Sequence, residues 1–99
     1  MTETSVTVVE GLSQFGNAEV RLQLAFPAGT SYRYVNSRLY AYAAEIERLS
    51  SEEDPWCLVV DKEHRSVHLE LVYDSNSPVS RDDVVRRGVS RLRLVLLKQ

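Results

Sequence analysis

The sequence predicts an α+β two-layer sandwich in which the order strand, strand, helix occurs twice (ββαββα), giving a four-stranded, mainly antiparallel sheet with both helices on one face. Three observations predict it. Strict alternation marks "VRLQLAF" (20–26) as a half-buried strand, and nearly the same pattern returns 47 residues later as "VHLELVY" (67–73). Val35, Leu39, Tyr42, Ile46 and Leu49, spaced 4, 3, 4 and 3, line one side of a helix. The second half then repeats the first at similar offsets: Val59-Val60-Asp61 follows Val8-Val9-Glu10 at 51, and an 85/89/92/96 stripe follows 35/39/42/46 at 50. The chain is therefore one domain built as a tandem ββα repeat, with pseudo-repeat halves of roughly 1–50 and 51–99.

Each element has its own local cause. The β-branched residues of "SVTVVEGL" (5–12) favour extended backbone. Gly16-Asn17 in the following "SQFGNAE" takes positive φ cheaply and makes a hairpin with 20–26, which "PAG" (27–29) ends. The first helix runs from Thr30 or Ser31 to Leu49 and stops in "SSEEDP". "WCLVVD" and "RSVHLELVY" form a second hairpin around "KEHR". After "DSNSP", Ser80 and Asp83 form a capping box, and Asp82 and Asp83 suit the positive end of a helix dipole. The final element is read as a helix with a core stripe of Val85, Val89, Leu92 and Leu96, although Gly88 is costly in a helix interior and "RLRL" (91–94) alternates as a strand does. The resulting order resembles a circular permutation of the ferredoxin-like arrangement, a likeness of topology that carries no function.

Composition excludes several classes. With 43% hydrophobic and 26% charged residues, the chain is neither disordered nor fibrous. Nothing approaches the 18 apolar residues of a membrane span, and the acidic start is unlike a signal peptide, so the expected location is the cytoplasm. The single cysteine, Cys57, leaves no internal disulfide, and its apolar surroundings predict a buried, inert thiol. Charge is unevenly placed: residues 1–79 hold 12 acids and 6 bases, residues 80–99 hold 2 acids and 6 bases.

No residue pattern supplies a catalytic, metal or cofactor site. Asp61, His64 and His68 have a spacing that converges only on a helix, whereas the hydrophobic pattern puts them on a hairpin. Three surfaces remain. The strands "SVTVVEGL" and "WCLVVD" carry adjacent apolar residues, so Val9, Leu58, Val60 and Val72 are expected on the uncovered sheet face as a dimer interface. On the first helix Arg33, Tyr34 and Tyr40 lie off the core stripe and are residue types that anchor protein interfaces. On the last helix Arg87, Arg91 and Lys98 fall on the back, with Arg86 and Arg93 along a flank, as candidate phosphate contacts. The expected function is a small non-catalytic interaction module acting by protein–protein binding, as an adaptor, assembly factor or phage-type inhibitor, and forming a homodimer. The alternatives are a nucleic-acid-binding regulator using the C-terminal arginines, and a small-ligand-binding or enzymatic domain with an unmarked pocket.

Overall fold

The computed structural model describes residues 4–51, 53–71 and 80–98. Strands β1 (Ser5–Leu12) and β2 (Ala18–Ala25) pair antiparallel without a bulge, from Ser5 opposite Ala25 to Leu12 opposite Ala18. Ser13 closes the hairpin loop. Its N–H donates to the Asn17 carbonyl at 2.7 Å, its carbonyl accepts from Gly16 N–H at 2.9 Å, and Gly16 supplies the left-handed backbone (φ 80) that the reversal needs.

Gly29 turns the chain again at φ 83, and Ser31 caps α1 (Tyr32–Leu49) by accepting the Tyr34 N–H on its side chain. Of the predicted stripe of α1, Val35, Leu39, Tyr42 and Ile46 are buried, joined by Ala43, while Leu49 at the helix end is half-buried. Strand β3 (Trp56–Asp61) and strand β4 (Ser66–Leu71) form the second hairpin, with Leu58 opposite Leu69. The sheet order is β1-β2-β4-β3, so β2 and β4 are central and every neighbouring pair is antiparallel.

The second helix, α2 (Arg81–Leu97), settles the open choice for the C-terminal element. Ser80 caps it through the Asp83 N–H, and Asp82 and Asp83 occupy its first turn. Its buried residues are Val84, Gly88, Leu92 and Val95, whereas Val85, Val89 and Leu96 are only half-buried. The helix is thus rolled by about one residue from the expected stripe, and the reason lies in Gly88. Lacking a side chain, it lets α2 settle onto Val20 and Leu69 of the central strands, which turns Val84 and Val95 inward with it.

Both helices cover the same side of the sheet, and one core joins Val20, Leu22 and Leu24 of β2, Val67 and Leu69 of β4, and the inner faces of both helices. Helix α1 packs on β3 and β4, while α2 packs on β1, β2 and β4. Among the described residues no helix is long and apolar enough to cross a membrane.

Candidate functional site

Strand register decides which face each side chain occupies, because residues directly opposite in an antiparallel pair share a side. Trp56, Leu58 and Val60 lie opposite Leu71, Leu69 and Val67, so they point toward the helices and pack against the core. The expected patch of Val9, Leu58, Val60 and Val72 on the uncovered face therefore does not assemble. Val9 is on that face, 41% exposed; Leu58 and Val60 are on the other; Val72 lies outside the described residues. The run "WCLVVD" is apolar in both phases, and it is the aromatic at 56 that takes the core phase.

The uncovered face is polar instead. Arg21 of β2, His68 of β4 and Val59 of β3 form one row across it, flanked by a row of Gln23, Ser66 and Asp61 and a row of Glu19, Glu70 and Cys57. Glu19 is buried and pairs with Arg21; its second carboxylate oxygen lies 3.6 Å from His68 Nε2. His68 Nδ1 is buried and has no hydrogen-bond partner among the described residues. Asp61 accepts the His64 N–H at 3.0 Å and lies 2.8 Å from His64 Nδ1. Burial pushes the Asp61 carboxyl up, but the hydrogen bonds from His64 and the charges of His64 and Arg21 outweigh it and hold the group below its ordinary value. Among the described residues no three His, Cys, Asp or Glu side chains come together to hold a metal ion. Cys57, expected buried, is exposed, because β3 is an edge strand and position 57 points to the uncovered face beside Glu70.

The arginines of α2 are also placed differently from expectation. With the helix rolled, Arg87 and Arg91 turn toward the start of β3, where each guanidinium reaches Asp54, at 3.6 and 3.7 Å, and Arg91 lies 6.0 Å over the Trp56 ring. The Asp54 side chain is buried and accepts the Ser51 N–H at 2.8 Å, so two of the three candidate phosphate contacts are drawn to a fixed carboxylate. Lys98 caps the end of α2 and is exposed, and Arg86 and Arg93 lie on its outer face.

A different group of residues is assembled where the first turns of α1 meet the β3–β4 turn, Lys62–Arg65, whose last residue has a left-handed backbone (φ 52). Lys62 holds its ammonium 5.2 Å over the Tyr40 ring. Hydrogen bonding to the Tyr40 hydroxyl raises Lys62 above its ordinary pKa, with a smaller contribution from Tyr32. Tyr32 is 70% and Tyr40 51% exposed, and Arg33 stands exposed one residue along the same flank of α1. Thr30, Tyr32, Val35, Lys62, Glu63 and Arg65 enclose a cleft of about 520 Å³ beside them. Tyr34, expected with this group, is on the opposite flank, edge-on to Phe26 with ring centroids 6.2 Å apart. No sequence pattern marks Tyr32, Lys62 or Arg65, since only the folded hairpin brings its turn against α1; the polar turn "KEHR" is the one signal that bears on them.

No protein-family model, curated protein or solved structure matches this chain.

Proposed function

We propose that the chain is a small, non-catalytic interaction module that binds another protein through the ledge of Tyr32, Arg33, Tyr40, Lys62 and Arg65. One observation carries this reading: two tyrosines lie more than half exposed with a cation held against one ring. Tyrosine and arginine offer large contact area and directed hydrogen bonds at low entropic cost, and such residues dominate the energetics of protein interfaces. We also read the topology as a permuted ferredoxin-like sheet; supporting this are the order β1-β2-β4-β3 and the two helices sharing one face.

The test is capture from native lysate after nuclease treatment. A protein retained by the wild type should be lost with Tyr40→Ala plus Lys62→Glu and kept with Arg86→Glu plus Arg93→Glu on the far helix. Capture indifferent to the ledge substitutions, or abolished by nuclease, would refute the reading.

A further inference from the structure

Strand β3 ends the sheet: its six residues pair with β4 on one side, and among the described residues no strand pairs with the other. Alternate residues of such a strand direct their N–H and C=O groups outward, where they await a partner. Strand β1 is also an edge, but β3 differs in what stands beside it. Helix α1 packs over β3 and β4, and the flank of α1 that carries Arg33, Tyr40 and Glu47 lies along the β3 side. A cleft opens at each end of this seam. The ledge cleft is at the Lys62 end; the second, of about 330 Å³, lies between Glu47 and Ser50 of the helix end and Trp56, Leu58 and Leu69 of the sheet. Trp56, Leu58 and Val60 are half-buried, and among the described residues no strand lies beside the outer edge that they border. Two buried polar atoms on the elements that bound the seam, Asn36 Oδ1 of α1 and Trp56 Nε1 of β3, have no hydrogen-bond partner among the described residues.

We propose that the partner enters as an extended segment that adds antiparallel to the free edge of β3, lying in the seam below α1. This rests on the ledge reading and specifies the ligand. Main-chain hydrogen bonds to β3 supply affinity, and alternate side chains on the helix side enter the two clefts. The second cleft is floored by Trp56, Leu58 and Leu69 and rimmed by Glu47, Ser51 and Asp54, the last neutralised by Arg87 and Arg91, so its floor takes an apolar residue. At the other end the cleft is lined by Lys62, held over the Tyr40 ring, and by Arg65, whose guanidinium lies 6.0 Å over Phe26; among the described residues Glu63 is the one carboxylate lining it, and this excess of positive charge selects an acidic residue. Because both clefts are on one side of the sheet and a strand rises about 3.3 Å per residue, the two anchors are separated by an even number of positions, roughly four or six. An antiparallel segment meets Lys62 with its N-terminal end, so the acidic residue comes first.

Selection of phage-displayed random decapeptides on the full chain tests this. Enriched peptides should carry an acidic residue followed, four or six positions later, by a large apolar one. Their synthetic forms, measured by fluorescence anisotropy, should lose about tenfold or more in affinity when amides of one alternating phase are N-methylated, and little when the other phase is, as expected for lost main-chain hydrogen bonds. Tyr40→Ala and Lys62→Glu should each weaken the same peptides. Peptides sensitive to the ledge substitutions but indifferent to N-methylation in both phases overturn strand addition and leave the ledge reading standing. Peptides showing the N-methylation pattern but indifferent to Tyr40→Ala and Lys62→Glu overturn the placement beside the ledge. Failure to enrich any peptide, or enrichment of basic sequences, overturns the proposal outright.

Discussion

Replacing Gly88 by alanine should stabilise the fold, although this glycine is what brings α2 close to the sheet. A Cβ built at position 88 lies 3.4 Å from Val20 Cγ2, 3.8 Å from Val20 Cβ and 3.9 Å from Leu69 Cδ1, at the near limit of ordinary contact but without overlap. Glycine in a helix interior costs about 1 kcal/mol relative to alanine, and a newly buried methyl contributes at most about 0.8 kcal/mol more. The tightness of the Val20 contact removes part of the second gain, leaving a net stabilisation of about 1 kcal/mol. In a two-state domain of this size that raises Tm by roughly 4–8 °C, and the urea midpoint should rise with an unchanged m-value. Gly88→Leu, whose longer side chain has no room between Val20 and Leu69, should instead destabilise by about 1–3 kcal/mol. A lower urea midpoint for Gly88→Ala would show that the helix–sheet gap is closer than described and that the reasoning fails.

Three further outcomes follow from the structure. Val84→Asp and Val95→Asp should damage stability far more than Val89→Asp and Leu96→Asp, measured by urea unfolding; the reverse order would restore the unrolled helix. Since Asp61 is held below its ordinary value, it contributes stability that is present above about pH 4, the unfolded value, and lost as pH falls through the lowered folded value. Asp61→Asn should therefore flatten the acid limb of the stability profile, and an unaltered slope counts against the His64 contact. Native protein should react with a thiol reagent at Cys57 without denaturant, at the rate of an open thiol; protection until unfolding contradicts its place on the exposed side of β3.

What the sequence made legible depended on how many phases each pattern allowed. Strand β2 alternates in one phase only, and α1 has a single apolar stripe, so both were readable along with the repeated element order. In α2 the adjacent apolar pairs Val84-Val85 and Val95-Leu96 permit two neighbouring stripes, and only the approach of Val20 and Leu69 to Gly88 chooses between them. "WCLVVD" is ambiguous in the same way, which is why Leu58 and Val60 were expected on the wrong face and Cys57 in the interior. Of the candidate site, Arg33 and Tyr40 were visible as off-stripe residues of α1. Lys62 and Arg65 were not, because their nearness to α1 arises from the crossover of the chain, a relation between segments that no local period encodes.

That crossover has a consequence for the handling of the molecule. Helix α1 follows the first hairpin in the chain but covers the second, and α2 follows the second hairpin but packs mainly across the first. Neither ββα half is thus a self-sufficient unit: cut between residues 50 and 51, each fragment would keep a hairpin whose natural cover sits on the other. Two such fragments have every reason to reassociate, since Val20 faces Leu69 across the central β2–β4 seam and each helix can regain its sheet only from the complementary piece. Seen this way, the chain resembles a pair of exchanged units joined end to end, in which covalent linkage converts an assembly step that depends on concentration into an intramolecular one.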